Sequence, residues 1–204
     1  VKTNGTRGNG SAATVAKFLY DDTHLYLGVH VKDDDIQSPF TKRDDTLWKA
    51  DVVEFFVRTL KAGDEYAEIQ INPANALFDA HFKAHRNPAW EEAAASLNLN
   101  IESAVHLDGT LNKGDDKDKS WSAELKIPIL ELPGMTEAPR SGQTWEANLY
   151  RIDKKASRKS LAYRAWTGVG NDFHKLKGAG LITFGPELAV KRPAPKVEKK
   201  KEEK

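Results

Sequence analysis

The stretch DDTLWKADVVEFFV (residues 44–57) decides how the chain is read. A strand sends successive side chains to opposite faces. Val53, Phe55 and Val57 then share one face, and Val52, Glu54, Phe56 and Arg58 share the other. The first face is purely apolar and reads as core. The second sets a carboxylate and a guanidinium among apolar neighbours and reads as a face outside the core. Trp48 falls on the loop that leads into this strand.

The same period-2 alternation recurs on both sides of this stretch. It predicts strands at residues 14–20, 25–31, 51–58, 66–71, 77–83, 99–106, 121–127, 145–152 and 180–184. Turn signals separate them: Asp21-Asp22, the AGD at 62–64, the NPAN at 72–75 and the PG at 133–134. The DG at 108–109 predicts a tight hairpin turn. Only residues 88–97 and the PILEL after Ile127 favour helix. Short strands at this spacing predict an all-β fold, a single antiparallel β-sandwich of jelly-roll or immunoglobulin-like type with one or two short helices. Residues 1–13 are polar and Gly-rich and read as a flexible segment. Residues 14–186 form the sandwich, and residues 187–204 read as a disordered charged tail or linker.

Composition narrows the function. The net charge of +1 is too near neutral for a nucleic-acid footprint. No apolar run reaches the ~20 residues a membrane-spanning helix needs. With no cysteine, disulfides, thiolate metal sites and cysteine nucleophiles are excluded. The chain starts at Val1 and reads as mature or trimmed, so the missing leader does not report the compartment.

Several constellations carry chemistry, each with a plainer reading beside it. Trp121 and Trp145 open strong strands and read as core. Trp48 and Trp166 sit in loop contexts, where binding residues collect on a rigid scaffold, although a loop tryptophan can equally cover the end of a core. Trp90 reads as a staple for the short helix. Parity sets Tyr66, Glu68, Gln70 and Asn72 on one face of their strand, and Glu146, Asn148 and Tyr150 on one face of another. A solvated sheet face is the ordinary explanation, but Gln, Asn, Tyr and Arg are planar hydrogen-bonding groups. A flat ring beside a half-buried carboxylate suits a sugar, which offers a C–H face and hydroxyls. The acid clusters at 32–35, 43–45 and 113–119 read as solvated loops. Calcium sites use such loop oxygens, but none of the three clusters fits the EF-hand loop pattern; Asp45 and Asp51, which bracket Trp48, are the pair to watch. No HExxH, GxSxG, P-loop or GxGxxG occurs. Glu54 and Glu68 could be posed as an acid pair, but nothing in the sequence singles them out, and no cofactor or catalytic residue is assigned.

Taken in order, TVAKFLYDDTHLYLGVHVKDDDI, DDTLWKADVVEFFV, YAEIQINPANALFDAHF, WSAELKIPI, GQTWEANLYRID and AWTG with FHKLKGAGLITF resemble the family 9 carbohydrate-binding modules, over residues 14–184. The resemblance implies a non-catalytic, jelly-roll-like sandwich of the kind often attached to glycoside hydrolases. More distantly, the chain is similar to haem- or sugar-binding domains of extracellular redox proteins. The resemblance implies a tryptophan sandwich from Trp48 and Trp166. It further implies polar contacts from Glu54, Gln70 and Asn72, with Arg151, Asn148 and Gln37 as secondary candidates. Sugar binders of the family can have Arg where Gln70 stands, and the "IDG…W" block that usually opens the family is absent. The expected ligand is an oligo- or polysaccharide, recognised at a chain end, outside the cytoplasm. Attached catalytic or surface-anchoring domains and a part in polysaccharide breakdown or cell-surface attachment are expected with it. Three alternatives stand beside this reading. One is a degenerate module serving protein contacts. Another is a haem domain, for which Met135 is the only methionine. The third is a hydrolase built on Glu54 and a second acid.

Overall fold

The computed structural model describes residues 2–3, 13–59 and 62–186. It is an all-β sandwich of eleven strands: β1 (Lys2–Thr3), β2 (Thr14–Tyr20), β3 (His24–Lys32), β4 (Val52–Arg58), β5 (Tyr66–Ile71), β6 (Leu77–Phe82), β7 (Glu102–Asp108), β8 (Ser120–Pro128), β9 (Thr144–Asp153), β10 (Ala162–Ala165) and β11 (Gly180–Thr183). One helix, α1 (Trp90–Ala95), and 3-10 turns at Leu47–Lys49 and Ile129–Glu131 complete it. The smaller sheet runs β2-β3-β8-β7 and the larger β1-β11-β9-β4-β5-β6. One edge of β9 pairs with β4. The other edge is shared in succession by β11, against residues 144–147, and β10, against residues 150–153.

Two apolar layers follow from this arrangement. Between the sheets lie Leu25, Leu27, Val29 and Val31 of β3, Trp121 and Leu125 of β8, Val53, Phe55 and Val57 of β4, Ile69 of β5 and Trp145 of β9. The expected core roles of Trp121 and Trp145 hold, each being 1% exposed. The second layer covers the far face of the large sheet. There Val52, Phe56, Tyr66, Phe78, Phe82 and Tyr150 are roofed by Leu47, by Ala93 and Ala94 of α1, and by Val169 and Leu176. The large sheet is thus buried on both sides, which is why residues 52–57 read as a nearly unbroken apolar run. This corrects the reading of the Glu54 face as outside the core: every residue from Val52 to Val57 is buried.

Most of the expected elements are present, with three differences. The DG at 108–109 is not a two-residue turn: β7 and β8 pair with Asp108 opposite Ser120, and residues 109–119 form a long connection. Buried Asp118 organises that loop, its carboxylate accepting from the backbone N–H of Ile36 at 2.7 Å and of Thr110 at 2.6 Å. The sequence pattern missed β10, four residues beside a Lys/Arg-rich stretch. It also missed β1, which lies in the segment expected to be flexible and pairs with β11. The charged tail expected at 187–204 lies outside the described residues.

Candidate functional site

The roofed face of the large sheet gathers the polar groups that sequence parity had set together. Strand register places Glu54 directly between Gln70 of β5 and Tyr150 of β9. One step along, Phe56 lies between Glu68 and Asn148. Side chains directly opposite on neighbouring strands stand about 5 Å apart at Cβ, so Glu54, Glu68 and Gln70 form one buried cluster. Their exposures are 3%, 5% and 1%.

The electrostatics of this cluster are unusual. Among the described residues nothing donates a hydrogen bond to the Glu54 carboxyl. Burial, reinforced by the nearby Glu68 charge, holds it well above the usual carboxylate range. Burial also pushes Glu68 up to about 7, opposed by the Gln70 amide, whose Nε2 donates to Glu68 Oε1 at 2.5 Å. The other end of that amide, Gln70 Oε1, is buried without a partner. A buried polar group without a partner costs free energy. Gln70 Oε1 and the Glu54 carboxyl thus leave unmet hydrogen-bonding capacity side by side on one face of the large sheet.

The roof over this cluster is the segment 167–179. Asn148 fixes its start, accepting from Thr167 N–H at 3.0 Å and donating to the Thr167 carbonyl at 3.0 Å. Tyr150 donates to the Phe173 carbonyl at 2.8 Å, and its ring stacks on Phe173 at 3.9 Å. His174 inserts between Phe56 and Phe82 and hydrogen-bonds Tyr66 Oη at 2.8 Å through Nδ1. Its Nε2 stands 3.9 Å from Glu68. Burial, helped by the positive charge of Arg86, pushes the imidazole down to about 4, so the ring is neutral at pH 7. The tautomer protonated at Nε2 lets Tyr66 donate to Nδ1 and aims the Nε2–H at Glu68. On the outside, Asp172 clasps the segment, bonded to His85 Nε2 at 2.6 Å and Arg86 Nη2 at 2.7 Å.

The two loop tryptophans belong to different layers. Trp48, on the 3-10 turn, packs at the edge of the roofed layer, edge-to-face with Phe78 at 5.3 Å and with Trp90 at 5.0 Å. Trp166 packs against the layer between the sheets. Its six-membered ring lies over Gly180 of β11, where an added Cβ would come within 2.5 Å of Cη2. The aromatic partner beside Trp48 is therefore Trp90, 37% exposed, rather than Trp166.

The remaining sequence candidates have structural partners. Asn72 accepts from Ala76 N–H and donates to the Phe40 carbonyl, closing the turn after β5. Gln37 donates its side-chain amide to Asp35 at 2.6 Å and its backbone N–H to the Asp51 carboxylate at 2.6 Å. Arg151 is 3% exposed and ties the large sheet to the end of β3, donating to the Lys32 carbonyl, to Asp33 at 3.1 Å and to Asp153 at 2.9 Å. Sequence reasoning left out Trp90, Tyr150 and His174 as parts of the Glu54 face. The first two carried a signal, Trp90 in its loop neighbourhood and Tyr150 in its parity with Asn148. His174 carried none.

Asp33, Asp51 and Asp153 bring carboxylate oxygens within 4.8 Å of one another, the place where the calcium expectation is tested. The cluster already carries cations. Lys155 Nζ bonds Asp33 at 2.5 Å, Asp34 at 2.7 Å and Asp153 at 3.2 Å, and Arg151 bridges Asp33 and Asp153. A divalent ion needs several oxygens at ~2.3–2.6 Å and does not fit while the lysine sits among them. Asp45 is not part of this cluster. Glu54 and Glu68 lie on one face of adjacent strands, so they do not flank a substrate from opposite sides as a glycosidase pair does. Met135 packs against the layer between the sheets.

Comparison with known proteins agrees with this architecture. The family model of carbohydrate-binding family 9 matches residues 13–184. A family 9 module from Caldicellulosiruptor kristjanssonii, solved in complex with cellotriose, superposes with a TM-score of 0.59 at 15% identity, covering 95% of this chain and 87% of that one. The same module with glucose gives 0.60, 15%, 95% and 88%. A candidate carbohydrate-binding protein from Bacteroides uniformis gives a TM-score of 0.65 at 18% identity, covering 85% of this chain and 78% of that one. At these identities the structural likeness speaks to the fold alone. No curated protein matches the chain.

Proposed function

The chain belongs to carbohydrate-binding family 9, a non-catalytic family, and from that premise we propose that it binds an oligo- or polysaccharide on the roofed face of the large sheet. The observation that carries the assignment is the Glu54 carboxyl, buried beside the open end of Gln70 with no hydrogen bond from the described residues. A saccharide hydroxyl both donates and accepts, and so can satisfy both groups at once. Trp48, half-buried at the edge of this layer, supplies a ring for the C–H face of a sugar.

The slot differs from the one the resemblance implies. Trp166 supports Gly180 and the core, so the second wall comes from the neighbourhood of Trp90 or from the roof. Segment 167–179 lies over the cluster, and the ligand reaches Glu54 when this roof lifts. Recognition of a chain end fits a slot closed on one side by the sheet. The role we infer is extracytoplasmic glycan attachment, alongside a catalytic or anchoring partner domain. Among the described residues no helix is long and apolar enough to cross a membrane.

Titration calorimetry against a panel of gluco-, xylo- and manno-oligosaccharides tests the assignment. At least one should bind, and Trp48→Ala should weaken it by roughly tenfold, the worth of one stacking contact. A silent panel, or a Trp48→Ala protein that binds like wild type, counts against it.

A further inference from the structure

The outer face of the small sheet carries a separate trough of about 550 Å³, within the usual range of ~300–1,000 Å³ for ligand clefts. It lies on the opposite side of the molecule from Glu54, because β2, β3, β8 and β7 turn their other face to the core. Cross-strand rows build it. One row runs Lys17, Gly28, Glu124, Ala104, and the next runs Leu19, Tyr26, Lys126, Glu102.

Each row contributes a different chemistry. Gly28 and Ala104 leave the floor low, and a Cβ added at Gly28 would meet nothing within 4 Å. Lys17 and Glu124 flank that glycine on neighbouring strands, roughly 10 Å apart across two strand spacings. Among the described residues neither has an ion-pair or hydrogen-bond partner, whereas Lys126 and Glu102 in the next row are paired at 2.7 Å. A free donor and a free acceptor thus face each other over an open floor. Leu19, 59% exposed, and the Tyr26 ring form an apolar shelf beside them, and Tyr26 Oη is anchored to Asp21 at 2.8 Å.

We propose that this trough is a second carbohydrate-binding surface, which takes an internal stretch of a single glycan chain. The lining chooses between occupants. Its charges balance, Lys17 and Lys126 against Glu102 and Glu124, so it does not favour an anionic membrane or nucleic acid. The backbone groups between its strands are already used in the sheet, and the outer strands β2 and β7 lie at the trough's margins, so a peptide added as a strand would not lie over Gly28. Polyhydroxylated rings present C–H patches to Leu19 and Tyr26. Their hydroxyls accept from Lys17 and donate to Glu124. The inference rests on family membership and the trough, and is independent of the Glu54 assignment.

Native affinity electrophoresis in gels containing hydroxyethylcellulose, xylan, glucomannan or amylose tests it. At least one polymer should retard the wild-type protein. Gly28→Phe fills the trough without a clash at Cβ and should remove most of that retardation. Tyr26→Ala should weaken it about tenfold, which keeps the test decisive if the phenylalanine variant folds poorly. In an amide chemical-shift titration with the retarding polymer's oligosaccharides, Tyr26, Gly28 and Glu124 should move. Retardation unchanged in both variants overturns the proposal, as does a panel in which no polymer retards the wild type. Shifts confined to Glu54, Gln70 and segment 167–179 also overturn it while supporting the first site. Shifts confined to the trough do the reverse.

Discussion

At the scale of single residues, the protein separates polar groups that hold it together from polar groups left without partners. Arg151 is of the first kind: buried, and bonded to Asp33, Asp153 and the Lys32 carbonyl. Arg151→Ala removes one of the two cations on Asp33 and Asp153 and leaves Lys155 to hold them, so it should cost about 1.5–3 kcal/mol, read by urea unfolding; a loss under about 1 kcal/mol would mean that Lys155 alone suffices. Gly180→Ala drives a Cβ into the Trp166 ring and should cost about 1–3 kcal/mol, while Gly28→Ala, facing open space, should stay within about 0.5 kcal/mol. Parity alone placed Glu54, Glu68 and Gln70 on one face, because register and alternation are local properties of β4 and β5. Their burial was not legible, since the segment 167–179 that lies over them is about a hundred positions away along the chain. The ion network of Arg151 was not legible for the same reason: its acid partners are set by how β9 and β3 meet, and no spacing in the chain encodes that.

At the scale of elements, β4 and the 167–179 roof carry the account. β4 was the most legible strand because burial on both faces leaves one carboxylate in an otherwise apolar run. The roof had almost no sequence signal: it has no regular secondary structure and is held by side-chain bonds from Asn148 and Tyr150 and by the Asp172 clasp. The clasp is exposed and hence weak. Asp172→Ala should therefore speed amide hydrogen exchange of Val169, Phe173 and Leu176 several-fold with little change in global stability. Unchanged exchange would show that the aromatic stack on Tyr150, and not the clasp, holds the roof. The β7–β8 connection teaches a related lesson. Asp-Gly is a turn signal, but the ten residues that follow it before Ser120, anchored by Asp118, make a loop no dipeptide rule describes.

At the scale of the whole molecule, the buried acids set the pH response. Burial, with the Asp33 charge, pushes Asp51 up to about 8, and burial pushes Glu68 up to about 7. In the unfolded chain both return to about 4, so the folded protein holds protons that the unfolded one has released. Their contribution to stability is full below about pH 4 and is lost as pH rises toward 8. His174 acts in the opposite sense. Pushed down to about 4, it makes the fold less stable as pH falls below about 6.5. Denaturation across pH should show stability falling between about pH 7 and 8.5, and Glu68→Gln should lessen the loss between pH 5 and 7. A profile rising through pH 8.5 would contradict these assignments. The sandwich itself was legible in full outline, because two layers of alternating strands leave a period-2 record along the whole chain. Which face of which sheet lies open was not, and both proposed surfaces depend on that.

The central claim is that Glu54 is kept unpartnered for a ligand, and one paired measurement on Glu54→Leu tests it. Replacing a buried, unpartnered carboxyl with an apolar side chain should raise unfolding stability by about 1–3 kcal/mol. In calorimetry the same protein should lose the heat of the oligosaccharide that the wild type binds. Stability up and binding lost is the predicted result. A variant that binds as tightly as wild type, whatever its stability, would show that Glu54 is packing and that the sugar is held elsewhere.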